Sequence, residues 1–135
     1  MQTPFVPPTV YPITDERLSG LSHAEQVERL AAGGATLIQL RDKTASAREF
    51  YYAALEAMTV AHRVGVQIII NDRIDIAMAV DADGVHLGQG DVPPDHARRL
   101  LGESRIVGVS THSVEQALEA NRAPVDYIAI GPVFQ

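Results

Sequence analysis

Short apolar runs alternate with amphipathic stretches along the whole chain. The runs are Val10–Ile13, Thr36–Leu40, Val66–Ile70, Gly84–Leu87, Ile106–Val109 and Tyr127–Ile130. They are rich in Val and Ile and mostly continuous in apolar character, the signature of strands buried on both faces in a parallel sheet. The stretches between them carry helix signals. Ser22-His23-Ala24-Glu25 and Ser46-Ala47-Arg48-Glu49 read as capping boxes, with Gly33-Gly34 and Gly65 positioned to close the helices they open. Ile74–Val80 predicts a short helix, Pro93-Pro94 opens another that ends near Gly102 and presents Arg98 on an exposed face, and Ser113-Val114-Glu115-Gln116 is a third box. The pattern is six strands with five intervening helices. It argues for a parallel sheet with helices outside it. A doubly wound open sheet and a (β/α)₈ barrel both satisfy it, and no G-x-G-x-x-G follows the first strand to favour dinucleotide binding.

Composition narrows the function. The chain has 135 residues and a net charge of −6, so a sequence-independent nucleic-acid binder is disfavoured and an anionic ligand must be held by local cations, backbone N–H groups or metal. With no cysteine, thiolate catalysis, disulfides and Cys-based zinc sites are excluded. No apolar run is long enough to span a membrane, and the Pro-rich start, residues 1–9, lacks the basic and apolar regions of a signal peptide, so a cytoplasmic location is expected.

In parallel α/β proteins ligands bind at the C-terminal strand ends. After the second strand, Gln39 and Arg41 share a face opposite Leu40, and Arg41 with Lys43 offers two cations suited to phosphate oxygens, or else a surface ion pair with Asp42. Asn71-Asp72 follows the third strand, and His86 with Asp91 lies at and beyond the end of the fourth. Asp72 and Asp91 could each cap the following helix. Alternatively, two carboxylates on neighbouring strand tips form the donor set of a Mg²⁺ completed by phosphate and water. Ser110, Thr111 and His112 follow the fifth strand and offer hydroxyls to phosphate or caps to the next helix; Gly131-Pro132-Val133-Phe134 is a tight exit turn after the sixth.

Six motifs then stand in a distinctive order: Tyr11-Pro12-Ile13-Thr14-Asp15, Gln39-Leu40-Arg41-Asp42-Lys43, Ile70-Asn71-Asp72-Arg73, Gly84-Val85-His86-Leu87-Gly88-Gln89, Gly108-Val109-Ser110-Thr111-His112 and Gly131-Pro132-Val133-Phe134. Together they resemble the thiamine phosphate synthase family, from about Val10 to Phe134. The resemblance implies a TIM-type (β/α)₈ barrel. Here only its first six strands are expected, in a partial domain over residues 10–135.

It also implies a transferase of thiamine biosynthesis that joins hydroxymethylpyrimidine diphosphate to thiazole phosphate, releasing pyrophosphate. Its partners would be small phosphorylated molecules, with no nucleic acid and no membrane. By position, Gln39, Arg41, Lys43 and Asn71 would contact the diphosphate substrate, Asp72 and Asp91 would hold Mg²⁺, Ser110 would bind pyrophosphate, and His86 would line the pocket. Arg41, Lys43 and Ser110 would be the catalytic set. The family usually has an acidic residue where Gly90 stands, and Asp91 remains beside it. In the family, a Thr- and Lys-bearing loop after the sixth strand and the last two strands supply much of the thiazole phosphate site. This chain alone is therefore expected to have little synthase activity as a monomer, or to form a homo-oligomer through open barrel edges. A thiazole tautomerase-like paralogue, which carries His where Pro132 stands here, and a non-catalytic truncated product are the alternatives.

Overall fold

The computed structural model describes residues 3–134. The elements run β1 (Ile13–Thr14), α1 (Glu16–Ser19), α2 (His23–Ala32), β2 (Leu37–Leu40), α3 (Ala47–Val64), β3 (Gln67–Asn71), α4 (Ile74–Ala79), β4 (Gly84–Leu87), α5 (Pro94–Leu101), β5 (Ile106–Thr111), α6 (Val114–Ala120) and β6 (Tyr127–Ile130). The six strands form one sheet in sequential order, every pair parallel. Sequential parallel order with helix between successive strands is the winding of a barrel, and it excludes the doubly wound alternative, whose strand order reverses at a switch point. The sheet curls so far that Tyr11, just before β1, hydrogen-bonds Tyr127 on β6 at 2.8 Å.

Side-chain alternation divides each strand between two cores. Ile38, Leu40, Ile68, Ile70, Val85, Leu87, Val107 and Val109 face the helices, where they pack with Val27, Phe50, Ala54, Met58 and Ala97. Leu37, Ile69 and Ile106 face the concave interior and pack with Phe5, Tyr11 and Tyr127. This is why Ile68, Ile69 and Ile70 are all fully buried in succession. Residues 3–9 of the Pro-rich segment form no helix or strand, yet Phe5 contributes to the inner core and its ring lies 5.6 Å from that of Tyr127. Two glycines permit close approach: a Cβ at Gly84 would overlap the Ile106 carbonyl, and one at Gly108 would overlap the ring of its register partner Tyr127.

The helix ends follow the cap signals closely. Ser22, Ser46 and Ser113 each accept from the backbone N–H three residues on, and Gly65 closes α3 in the left-handed conformation. The reciprocal box forms at Ser46–Glu49; the Gln116 side chain instead accepts from His112 N–H.

Three expectations change. The first strand is Ile13–Thr14 and not Val10–Ile13, because Pro12 has no N–H to pair and offers only its carbonyl, which accepts from Gln39 N–H. One-turn helix α1, capped by Asp15 and ended by Gly20 at φ 71°, is too short to show a helical period. Arg98 is not on an exposed face: it is 8% exposed, and its guanidinium donates to the carbonyls of Pro124, Gly102 and Arg105 and to Asp126. A polar side chain read from helical periodicity as solvent-facing instead points into the turn beneath β5 and β6. There it also shares Asp126 with the N–H of Val107.

Candidate active site

A continuous chain of six hydrogen-bonded side chains joins Gln39, Asn71, His86 and Ser110, near the C-terminal ends of β2 to β5, through Tyr11 before β1 and Tyr127 at the start of β6. Asn71 Nδ2 donates to Gln39 Oε1 at 2.7 Å, and Gln39 Nε2 donates to the Tyr11 hydroxyl at 3.1 Å. Tyr11 meets Tyr127 at 2.8 Å, Tyr127 meets His86 Nδ1 at 2.8 Å, and His86 Nε2 meets Ser110 Oγ at 2.6 Å. The Tyr11–Tyr127 contact can run in either direction, and the two His86 contacts are set by the imidazole tautomer; in the tautomer with Nδ1 bare, Tyr127 donates to His86 Nδ1. A neutral imidazole accepting at Nδ1 carries its proton on Nε2. In that tautomer His86 donates to Ser110, whose own O–H is then available to a ligand.

Burial supports that protonation pattern. It pushes the Tyr127 hydroxyl up, helped by Tyr11, and pushes the Tyr11 hydroxyl up against the opposing hydrogen bonds of Tyr127 and Gln39, so both remain donors. His86 is pushed down to about 4, mainly by burial; the Lys43 charge adds to this and the Asp91 carboxylate opposes it. An unfolded imidazole titrates near 6.5. Between about 6.5 and about 4 the unfolded chain takes up a proton that the folded chain refuses, so His86 costs stability as pH falls through that window. We expect unfolding in urea to show roughly 2 kcal/mol less stability at pH 5 than at pH 7 from this group. His86→Gln should lack that component; an unchanged pH slope in the variant would show that His86 is not the group responsible.

Around the mouth of the chain lie the charged candidates. Lys43, about half exposed, is ion-paired with Asp72. Arg41 is exposed at the rim, and among the described residues its guanidinium has no ion-pair partner. It does not pair with Asp42. That carboxylate is raised by partial burial but lowered further by the N–H groups of Thr44 and Ala45 and the Thr44 hydroxyl, with a net downward shift. A cavity of about 140 Å³ opens beside Arg41 and Lys43.

Neither metal candidate serves as a helix cap. The cap position of α4 is Arg73, which pairs with Asp75, and that of α5 is Pro93; neither helix has a side-chain cap bond. Asp72 instead sits at φ 54°, a conformation sparsely populated by residues other than glycine, and its N–H donates to the His86 carbonyl at 2.8 Å. Asp91 Oδ2 accepts from Gly88 N–H at 2.7 Å, and a Cβ on Gly88 would crowd that oxygen at 3.1 Å. The paired strands β3 and β4 thus deliver two carboxylates with no capping duty. A pair of hard oxygen donors of this kind suits Mg²⁺.

Ser110 likewise does not cap α6, which Ser113 does, and Gln89 Nε2 donates to its carbonyl at 2.8 Å. The structure thus joins Gln39 to Asn71 and His86 to Ser110 directly, links the two pairs through Tyr11 and Tyr127, and pairs Lys43 with Asp72. Tyr11 and Tyr127, which complete the network, are not among the site residues read from the sequence, although Tyr11 opens the first of the six motifs. Their signal in the chain was Gly108, whose missing side chain makes room for the Tyr127 ring.

This is an α/β protein of the TIM-barrel kind, with its polar cluster at the C-terminal strand ends. Residues 10–135 match the family model described as thiamine monophosphate synthase, TMP-TENI. The chain belongs to that family. It is 50% identical to the thiamine-phosphate synthase of Ruminiclostridium cellulolyticum over 127 residues, covering 93% of this chain and 60% of the relative. It is 49% identical to that of Clostridium novyi, covering 93% of this chain and 62% of the relative. The solved thiamine phosphate pyrophosphorylase of Pyrococcus furiosus superposes with a TM-score of 0.84 at 40% identity, over 92% of this chain and 60% of that one. The chain therefore spans about 60% of the length of the relatives it matches. Among the described residues no helix is long and apolar enough to cross a membrane.

Proposed function

We propose that this segment supplies the diphosphate half of a thiamine phosphate synthase site. The reaction it serves transfers the pyrimidinylmethyl group of hydroxymethylpyrimidine diphosphate to the ring nitrogen of thiazole phosphate. The carbon–oxygen bond to the diphosphate breaks with its electron pair leaving on pyrophosphate. The thiazole nitrogen supplies the pair for the new carbon–nitrogen bond. The observation that carries the reading is the hydrogen-bond chain from Asn71 to Ser110, set beside the Lys43–Asp72 pair and the unpaired Arg41. A departing diphosphate needs cations and O–H donors that are already oriented, and the hydrogen-bonded chain and the Lys43–Asp72 pair hold their members in place before ligand arrives.

In this reading Arg41 and Lys43 bind the diphosphate oxygens. Ser110 donates the hydroxyl proton that the His86–Tyr127–Tyr11–Gln39 chain leaves free, and Gln39 with Asn71 faces the pyrimidine. Asp72 and Asp91 would hold Mg²⁺, which supplies charge neutralisation of the diphosphate when bound. The protein acts on small phosphorylated molecules, in the cytoplasm, with residues 10–135 as one domain.

Two carboxylates and a chain of net charge −6 repel a diphosphate unless a cation intervenes. Pyrophosphate titrated calorimetrically into the chain should therefore bind in Mg²⁺ and lose most of its affinity in EDTA; equal affinity in both would sink the assignment of Asp72 and Asp91. The function itself is tested by assaying thiamine phosphate formation from the two substrates in a protein of the relatives' full length that carries this segment. Absence of product would overturn it.

A further inference from the structure

Outside the polar chain, His23, Glu16 and Asp42 form a second cluster that the proposed reaction does not use. His23 is fully buried at the start of α2. Its Nδ1 is engaged with the Thr14 hydroxyl at 2.7 Å, but its Nε2 is buried and, among the described residues, has no hydrogen-bond partner. That nitrogen points at Glu16 Oε1 and Asp42 Oδ2, each 3.8 Å away, and the three groups offer ligand atoms within 4.8 Å of one another.

This arrangement is unfavourable without a further group. At 3.8 Å neither carboxylate accepts a hydrogen bond from Nε2–H, so a proton there is left buried without an acceptor. A bare Nε2 lone pair would instead face two anions. A divalent cation removes both problems, since it draws on the lone pair and balances the two negative charges. The geometry is close to what that requires: metal–ligand bonds of about 2.0–2.2 Å at a tetrahedral angle put ligand atoms about 3.4 Å apart. The two separations from His23 Nε2 need contract by only a few tenths of an ångström, and the Glu16 and Asp42 oxygens lie within 4.8 Å of each other. Glu16, whose side chain is 40% exposed, has the freedom to close that gap and gives the ion a way in from solvent. With Nδ1–H donating to Thr14 Oγ1, the second ring nitrogen is held as in metal-binding histidines generally.

We propose that His23 Nε2, Glu16 and Asp42 Oδ2 form a transition-metal site of the Zn²⁺ class, with water completing the coordination. One imidazole with two carboxylates is a donor set that favours zinc over magnesium. The ion clamps α1, α2 and the loop after β2 together. Asp42 lies between Arg41 and Lys43, so the site fixes the root of the segment that carries both cations. This assignment does not depend on the proposed reaction.

The test uses the chain itself and the metal alone. ZnCl₂ is titrated calorimetrically, and CoCl₂ is followed by visible absorption, with wild type, Glu16→Gln, His23→Gln and an Asp72→Asn/Asp91→Asn double variant. Wild type and the double variant should bind one ion per chain with equal affinity and give the absorption of low-coordinate, nitrogen-ligated Co²⁺. Glu16→Gln should weaken binding by more than about tenfold, and His23→Gln should abolish the cobalt spectrum. Should His23→Gln fail to fold, Glu16→Gln decides, because Glu16 is partly exposed and glutamine keeps an oxygen for His23 N–H. Zinc affinity unchanged by Glu16→Gln, or lost only when Asp72 and Asp91 are changed, overturns the site. No binding by wild type overturns it equally.

Discussion

Arg98→Ala should lower the stability of the fold by about 3 kcal/mol or more. The guanidinium is nearly fully buried and satisfies three backbone carbonyls, those of Pro124, Gly102 and Arg105, as well as Asp126, whose carboxylate it meets at 2.7 Å. Truncation leaves these acceptors without their donor and strands part of a carboxylate charge that is only 29% exposed. Removing one partner of a buried pair typically costs about 3–5 kcal/mol, because the other charge stays desolvated. The damage falls at one point of the architecture: Asp126 also accepts the Val107 N–H, so it joins the turn before β6 to β5. Arg99→Ala is the control. Its guanidinium is 68% exposed and reaches Asp95 only at 4.0 Å, so its loss should cost about 0.5 kcal/mol or less. Urea unfolding of the two variants measures the difference. Comparable losses would mean that the Arg98 contacts do not support the fold as described.

Arg41→Ala should reduce the affinity for pyrophosphate in Mg²⁺ by roughly 10- to 150-fold while leaving urea stability almost unchanged. Arg41 is exposed, and among the described residues it has no ion-pair partner in the fold, so its removal strands no buried charge. A charge-assisted bond to a phosphate oxygen is worth about 1.5–3 kcal/mol, and each 1.4 kcal/mol is a factor of ten. Arg99→Ala serves again as the control, since it changes net charge equally but sits on α5 outside the sheet. If the two variants bind pyrophosphate equally, Arg41 contributes only to the overall field and not to a contact. Arg98→Ala could not serve here, because its structural loss would be confounded with any loss of binding.

Much of this fold follows from local chemistry. Of six apolar runs, the four that form β2 to β5 are largely buried on both faces, so burial shows there as near-continuous apolar sequence, and every run lies in or beside a strand of the sheet. Ser22, Ser46, Ser113, Pro94 and Gly65 act through their own or adjacent backbone groups, so the helix ends they mark need no distant partner. Gln39 falls on the concave side, against Tyr11, because strand alternation is itself local.

Other features were decided by contacts across the sheet. The sequential strand order, which separates a barrel from a doubly wound sheet, is a choice of neighbour that no strand encodes alone. Asp72 and Asp91 look like caps in isolation; the packing of α4 and α5 gives the cap positions to Arg73 and Pro93, so the two carboxylates meet Lys43 and the Gly88 N–H instead. Tyr11 and Tyr127 are 116 residues apart and meet only because the sheet curls, so their part in ordering His86 and Ser110 exists only in three dimensions. Arg98 and His23 make the same point from the helices: a period of 3.6 tells which face a side chain leaves, but whether that face meets water, a turn beneath the sheet or two carboxylates is set by what the neighbouring elements place there.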